Sequence, residues 1–281
     1  MNKTERQREP SDEASDDLVV HTDPDRYVAS LFAPPGRARG LRALYVFNAE
    51  VARIRELVHE PLVGHIRLGW WRDQIAAVFE SRGTAAPVAA VRETIKIFAL
   101  PRDLFDAYLD ARALDFNEAA FADEAALEIY TAATAGSLMK LAARVCGADD
   151  RADEAAHHAA IAIAYAGFIR SLGFDATRRF CRLPLSWLDE EGLAAADLFA
   201  SQATPQLTHV VARLAAAARR HAHAARAARF PRAAIAALAP MALVESYLRR
   251  SARGDPFGKP AELSPLERTA RIAVSALTWR I

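Results

Sequence analysis

The sequence is poor in sulfur and contains no long apolar segment. Cys146 and Cys181 are the only cysteines in 281 residues, which excludes a disulfide framework and predicts a reducing compartment with both thiols buried. No run of about 18 apolar residues occurs, so no membrane-spanning helix is predicted. The first ten residues offer no apolar core for a secretory signal. We therefore expect a cytoplasmic protein, with peripheral attachment to the inner membrane left open.

An excess of charge of one sign is also absent. The 36 basic and 35 acidic residues give a formal net charge of +1, which argues against wholesale binding of nucleic acid. Glycine-rich phosphate loops, nucleophile elbows and zinc motifs are missing. The only histidine clusters, His157-His158 and His221-x-His223, lack the spacing of helical metal ligands. We expect these histidines to be exposed.

Alternating runs of β-branched residues are missing as well, and the chain is rich in alanine. Apolar residues recur at steps of three and four, which predicts an all-α protein of eight to ten helices. Residues 1–24 are polar and predicted to form a disordered tail, and 25–281 form one domain. The predicted helices span 41–59, 65–80, 87–98, 101–113, 123–146, 152–173, 203–229, 231–251 and 264–280.

Four blocks of sequence carry a recognisable pattern. They are Ala43-Leu-Tyr-x-Phe47; Arg67-Leu-x-Trp-Trp-Arg72; Tyr130 with Ala135-Gly-Ser137, Arg144 and Gly147; and Arg170 and Asp175 with Leu183-Pro184. In this order they resemble the first acidic helix, the tryptophan motif, the central helix and the second acidic helix of the squalene/phytoene synthase family. The resemblance implies a single-domain, isoprenoid-synthase-like helical bundle with a central cavity.

A second resemblance is narrower. The segment from Asn48 to Val58, with Glu60-Pro-Leu after it, resembles a divergent branch of this family. That branch includes bacterial proteins of unsettled role and a mitochondrial relative implicated in respiratory complex I assembly. By analogy, a respiratory membrane complex is one candidate partner.

The acidic motifs of the family are incomplete here. The family holds Mg²⁺ between two Asp-x-x-x-Asp pairs, and the ions neutralise the diphosphate of the substrate. The corresponding pairs in this chain are Ala52/Glu56 and Ser171/Asp175. A guanidinium such as that of Arg53 would repel Mg²⁺ by roughly 4 kcal/mol at about 8 Å and an effective dielectric of about 20. We therefore expect no metal cofactor and a protein that has lost catalysis.

Two alternatives remain open at these motifs. Glu56 and Glu60 are four residues apart and could form a displaced pair, which with Asp175 would bind Mg²⁺ in an active prenyltransferase for head-to-head condensation. Conversely, arginines could bind an anion directly, since guanidinium groups pair bidentately with phosphate. The residues of this anion site would be Arg53, Arg55, Arg170, Tyr45, Asn48 and Ser171. The same arginines could instead form surface ion pairs with Glu50, Glu56 and Asp175.

The remaining candidates are apolar or small. Those that could line the cavity are Phe47, Trp71, Tyr130, Gly136 and Phe168, each equally compatible with core packing. The leading hypothesis is a non-catalytic protein that binds an isoprenoid or phospholipid-like molecule or assists assembly of a membrane complex. A purely structural adaptor with a filled centre is the third hypothesis. The run Ala212–Arg229 could be a solvated helix or a basic face for anionic lipid headgroups.

Overall fold

Helices account for the architecture throughout the computed structural model, which describes residues 17–58 and 60–281. No β-strand occurs in these two ranges, and the predicted all-α class is confirmed. None of the described helices is both long and apolar enough to cross a bilayer. The α-helices are α1 (Pro24–Ser30), α2 (Ala38–Ala52), α3 (Ile54–Leu57), α4 (Pro61–Phe79), α5 (Ala89–Phe98), α6 (Arg102–Ala111), α7 (Glu124–Thr131), α8 (Ser137–Val145), α9 (Asp153–Arg170), α10 (Leu172–Thr177), α11 (Leu185–Glu190), α12 (Ala195–Phe199), α13 (Pro205–Ala227), α14 (Ile235–Leu238), α15 (Val244–Ser251) and α16 (Pro265–Thr278).

Four predicted helices are interrupted, those over 123–146 and 152–173 at Ala132–Gly136 and Ser171 and two others as follows. The helix predicted over 41–59 breaks at Arg53, where α2 ends, and α3 then ends at Leu57 before the extended Val58. The helix predicted over 231–251 is divided by a 3₁₀ turn that contains Pro240. Proline has no N–H to donate to the preceding turn, so the tighter turn follows from the sequence.

The predicted disordered tail spans residues 1–24. Residues 1–16 of the predicted tail lie outside the described residues. Residues 17–22 are helical and Val19 is fully buried, so the predicted boundary of the tail at residue 24 is wrong. The Asp23 side chain accepts a hydrogen bond from the backbone N–H of Arg26 and caps α1. The cap stabilises the start of α1, because it satisfies a backbone N–H that would otherwise be unpaired.

The central element of the bundle is the pair α9–α13, which has the most extensive helix–helix contact in the protein. Its interface is built mainly from alanine. The buried alanines are Ala155, Ala156, Ala159, Ala160, Ala162 and Ala166 on α9, and Ala217, Ala218, Ala222 and Ala225 on α13. Small side chains let the two backbones approach closely, and alanine is also the strongest helix former. The seam therefore fixes the position of α9.

A π-turn interrupts the central helix. Residues Ala132–Gly136 form this turn between α7 and α8, and the Thr134 hydroxyl donates to the carbonyl of Tyr130 at 2.8 Å. Such turns are rare and frequently occur at functional sites. Here the turn rotates Thr134 and Ala135 toward the interior cavity.

Helix α4 sits close to the 3₁₀ segment Arg112–Phe116, which also carries cavity residues. The approach depends on Gly64, because a Cβ atom built there would lie 2.3 Å from Cε1 of Phe116. Phe116 is itself buried, so its ring has little freedom to move. Gly69, on the same helix, has nothing within 4 Å of its Cβ position.

These two glycines provide a matched test. Gly64→Ala should lower the free energy of unfolding by about 1–2 kcal/mol, because overpacking outweighs the helical gain of alanine. Gly69→Ala should raise it by roughly 0.5–1 kcal/mol, since only the helical gain applies. Urea denaturation followed by circular dichroism measures both. Equal effects of the two substitutions would show that Phe116 does not restrict this position.

Candidate functional site

A cavity of about 380 Å³ lies among α1, α2, α7, the π-turn, α9 and the chain around Arg182. A volume of this size suits a small-molecule ligand. Four arginines line it, Arg26, Arg112, Arg170 and Arg182. The cavity fulfils the prediction of an open interior, and it argues against the structural adaptor with a filled centre.

The first polar group at the cavity is centred on Arg112. Its Nη1 lies 3.1 Å from Oδ2 of Asp115, and its Nη2 donates to Oδ1 of Asn48 at 3.2 Å. The Tyr130 hydroxyl donates to Oδ1 of Asp115 at 2.5 Å, and the Tyr108 hydroxyl donates to Asn48 at 2.9 Å. Asp115, Tyr108 and Tyr130 are buried. The network neutralises a buried carboxylate and holds Arg112 in one orientation.

The second polar group is centred on Arg182. Its Nη1 lies 3.0 Å from Oδ2 of Asp175, which also accepts from the Ser171 hydroxyl at 2.8 Å. The guanidinium stacks on Phe168 and Phe180, with ring centroids at 4.9 and 4.8 Å. Burial raises the pKa of Asp175, and the charge of Arg182 and the hydrogen bond from Ser171 oppose that rise. The carboxyl group of Asp175 is thus already paired with Arg182.

A third group closes the cavity from the N-terminal side. Asp25 accepts hydrogen bonds from the Tyr247 hydroxyl, the shorter at 2.8 Å, and pairs with Nε of Arg268 at 2.6 Å. Asp23 pairs with Nη1 of Arg26 at 2.7 Å. Burial raises the pKa of Asp25, and the neighbouring Asp23 raises it further. These contacts join α1 to α15 and α16 beside the cavity.

Arg170 differs from the other three arginines. Its Nε donates to the carbonyl of Ala261 at 2.8 Å, and its guanidinium lies over the ring of Tyr247 at 3.8 Å. No carboxylate is paired with it among the described residues. The Nε atoms of Arg112 and Arg182 are buried and have no hydrogen-bond partner within the same ranges.

The structure brings about half of the sequence-predicted site residues to the cavity. Those that line it are Asn48, Tyr130, Phe168, Arg170 and Ser171. Ala52, the position of one missing acid, lines it too. The predicted residues outside the lining are Tyr45, Phe47, Arg53, Arg55, Trp71 and Gly136. Phe47 and Trp71 pack edge to face in the core, with ring centroids 5.3 Å apart, so core packing describes both.

The two predicted arginines on the first acidic segment have other partners. Arg53 pairs with Glu50 at 3.0 Å on the partly exposed side of α2. Arg55 donates to the carbonyl of Arg178 at 2.9 Å and lies over the ring of Phe180 at 5.0 Å. The ion pair predicted as the alternative for Arg53 is therefore present.

The displaced acidic pair also has no geometric basis. Glu56 lies on α3, and Glu60 immediately precedes α4. The backbone is extended at Val58 and again at Glu60. Because the helix ends at Leu57, the spacing of four no longer places both carboxylates on one face. Both side chains are exposed and neither lines the cavity.

A metal does not fit these residues. No group of three or more histidine, cysteine, aspartate or glutamate side chains is arranged to hold a metal within 17–58 and 60–281. Asp175 is the one predicted metal ligand beside the cavity, and it is already bound by Arg182 and Ser171. Placing Mg²⁺ there would require it to displace a guanidinium of like charge.

Arg26, Arg112, Asp115 and Arg182 were missed by the sequence reasoning. Arg112 and Asp115 are three residues apart at the end of a predicted helix, a spacing that also describes an ordinary surface pair. Arg182 lies two residues before Pro184, in the predicted loop. Its position seven residues after Asp175 was the only signal available, and it does not define a contact.

The prediction of exposed histidines is wrong for three of the four, because His157, His158 and His221 are partly buried and His223 alone among them is exposed. His158 and His221 face each other across the α9–α13 seam, with Nδ1 atoms 3.0 Å apart, and His221 is largely buried. Burial lowers the pKa of His157 and of His221. Their neutral forms are therefore favoured near neutral pH.

Comparison with solved structures identifies the fold class of the protein. A dehydrosqualene synthase crystal structure superposes with a TM-score of 0.81 at 17% identity, covering 95% of each chain. The squalene synthase of Alicyclobacillus acidocaldarius gives a TM-score of 0.74 at 18% identity, covering 88% of this chain and 94% of the other. The protein thus has the helical fold of squalene synthases. The squalene/phytoene synthase family model matches residues 19–267, and the chain belongs to that family.

Curated relatives divide into two groups. Complex I assembly factor 6 of Rattus norvegicus is 28% identical over 243 residues, which are 85% of this chain and 73% of that protein. The human protein of the same name is 25% identical over the same shares. Presqualene diphosphate synthase of Rhodopseudomonas palustris is 30% identical over 175 residues, 61% of this chain and 62% of that protein.

The buried carboxyl of Asp175 gives a pH prediction. A raised carboxyl pKa contributes stability that is fully present below the unfolded pKa, about 3.9, and is lost as the pH rises through the folded pKa. The free energy of unfolding of the native protein relative to Asp175→Asn should therefore be greatest below about pH 4 and decline toward neutral pH. Urea titrations across this range measure the difference, and Asp25→Asn should follow the same trend. A difference that grows with pH would contradict the assignment.

Proposed function

We propose that this protein binds an amphiphile with a phosphate-bearing head group in the arginine-lined cavity, without a metal and without ionising it. The proposal rests on one observation: Ala52 and Ser171 line the same cavity as Arg112, Arg170 and Arg182. Two positions at which the family motif has carboxylates are uncharged, and the cations in the cavity are guanidinium groups. The ligand class would be an isoprenoid or a phospholipid-like molecule.

The charge balance supports an anionic head group. Arg112 and Arg182 are each paired with one aspartate, and the lining acids Asp23 and Asp25 pair with Arg26 and Arg268. Arg170 adds a further cation, which forms no ion pair among the described residues although its charge lowers the pKa of the nearby Asp25. A diphosphate brings about three negative charges, which cannot be buried uncompensated. Guanidinium groups with free N–H donors would bind its oxygens directly and bidentately.

The lining of the cavity also supports an apolar tail. Ala135 on the π-turn, Ile163 and Phe168 on α9 and Pro240 line it together with the arginines. A cavity lined by both cationic and apolar side chains suits a prenyl or acyl chain with a phosphate head group.

The relatives support a role in the assembly of a respiratory membrane complex. Complex I assembly factors match over 85% of this chain, so most of the chain is similar to proteins named for that role. We propose that ligand binding accompanies an assembly-factor function, with a subunit of such a complex as the partner. Reduced assembly of the complex in cells that lack the protein, restored by the native chain, would test this part.

The similarity to presqualene diphosphate synthase favours a second candidate, an active Mg²⁺-dependent prenyltransferase. Glu56, Glu60 and Asp175 would then hold the metal, which requires the first two to leave their exposed positions. This candidate predicts condensation of prenyl diphosphates that EDTA abolishes. The first candidate predicts binding with no product in the presence of Mg²⁺.

Calorimetric titration with a prenyl diphosphate distinguishes the candidates. Binding should persist in EDTA, and Arg170→Gln should weaken it on the order of 10- to 100-fold, as expected for loss of a charge-assisted hydrogen bond. Arg53→Gln is the matched control, because Arg53 lies outside the cavity and should leave the affinity unchanged. Binding that requires Mg²⁺, or an equal loss in both variants, would refute the metal-free site.

Restoring the missing acids gives a complementary prediction. Ala52→Asp with Ser171→Asp would add two negative charges to the cavity, so metal-free binding of a prenyl diphosphate should fall by at least about tenfold. Added Mg²⁺ should recover part of the loss, because carboxylates at positions 52 and 171 would line the same cavity and supply the oxygen ligands that Mg²⁺ prefers. The same titration with and without Mg²⁺ measures both effects. Unchanged metal-free affinity would place the head group elsewhere.

A further inference from the structure

The last helix, α16, presents an apolar stripe to solvent. Leu266, Val274 and Leu277 are 80%, 61% and 72% exposed, and Ala270 lies exposed between them. Their spacing of four, four and three residues places them on one side of the helix. The opposite side, with Ile272 and Ala276, is buried against the bundle. Large apolar side chains gathered on one exposed face mark an interaction surface.

Exposed arginines surround the C-terminal end of this stripe. Arg232 lies over the ring of Trp279 at 3.8 Å, and Nε of Arg226 donates to the carbonyl of Ile281 at 2.9 Å. Arg229, in the loop between them, and Arg280 are exposed. In the part of the chain that the structure describes, none of these four arginines has a carboxylate side chain as partner.

The sequence explains why the charge is uncompensated. No aspartate or glutamate occurs between Asp197 and Glu245, and none occurs in the segment 268–281. Within the run 212–229, the earlier arginines are paired with acids of other helices: Arg213 with Glu190, Arg219 with Glu245 and Arg220 with Glu124. The arginines at the start of the run 212–229 are therefore solvated and paired with acids. Those at its end form a cationic surface without acidic side chains as partners among the described residues.

A second apolar face, on α4, carries mixed charge. Leu62 and Ile66 are 69% and 63% exposed, and Trp70 follows them. Arg67 is exposed among them, but Glu60 and Asp73 are exposed at the two ends, and carboxylates would repel an anionic surface. The α4 face thus offers a comparison of similar hydrophobicity and different charge.

We propose that the α16 stripe and its four arginines dock the protein on an anionic lipid surface. Leu277, Val274 and Trp279 would enter the interfacial region, and the arginines would contact the phosphate head groups. A second copy of the chain is a poorer occupant, because a symmetric pairing would bring the two sets of arginines together. Docking is independent of any ligand in the interior cavity.

Vesicle co-sedimentation of the full chain tests this docking. The protein should bind vesicles of equal parts phosphatidylcholine and phosphatidylglycerol, bind phosphatidylcholine vesicles much more weakly, and dissociate at high salt, since exposed charges are screened. Arg229→Gln with Arg280→Gln should weaken binding roughly fivefold for each charge. Neither side chain forms a hydrogen bond or an ion pair with the described residues, so folding should be unaffected.

The apolar stripe is tested with a matched pair of variants. Val274→Ser with Leu277→Ser should reduce binding at least as strongly as the arginine variant, whereas Leu62→Ser with Ile66→Ser on α4 should leave it unchanged. Absence of binding to anionic vesicles, or an equal loss in both serine variants, would overturn the proposal. So would self-association in sedimentation velocity that Val274→Ser with Leu277→Ser abolishes while vesicle binding persists, since the stripe would then be a contact between copies.

Discussion

Neutralisation of buried charge at the cavity is the constraint on which the arrangement of the site depends. Asp115 and Asp175 are buried acids, and each is balanced by one arginine and one hydroxyl donor. Breaking either pair would leave an uncompensated ion in the interior, which is far more costly than the net contribution of the pair. The pairs therefore set the orientation of Arg112 and Arg182, and with it the direction in which their remaining donors point.

The same constraint separates this chain from the metal-dependent arrangement implied by the family resemblance. An Asp-x-x-x-Asp pair supplies negative charge that divalent cations then reverse in sign. Here Ala52 and Ser171 supply none, and the positive charge is covalently part of the protein. Under the proposed function, the arginines held by Asp115 and Asp175 would supply the positive charge that the family resemblance assigns to Mg²⁺.

The sequence predicted features that depend on neighbouring residues better than features that depend on residues far apart in the chain. The long periodic helices, such as those near 123–146 and 203–229, follow from local pattern, and four ordered motifs identified the family. The breaks at Arg53 and Pro240 were harder, since the apolar period continues through them. Arg112 and Arg182 could not be assigned, because their partners and the cavity come together only through tertiary packing. Trp71 was ambiguous for the opposite reason: core and cavity wall demand the same apolar side chain.

The alanine seam of α9 and α13 has a consequence for how this cavity can vary. Only glycine is smaller than alanine, so almost every substitution along the seam enlarges a side chain and pushes the helices apart. The other face of α9 carries Ile163, Gly167 and Phe168 into the cavity. The backbone of that wall is therefore held nearly invariant by neighbours that touch no ligand, and new ligand preferences among related chains must arise by exchanging the side chains that face inward.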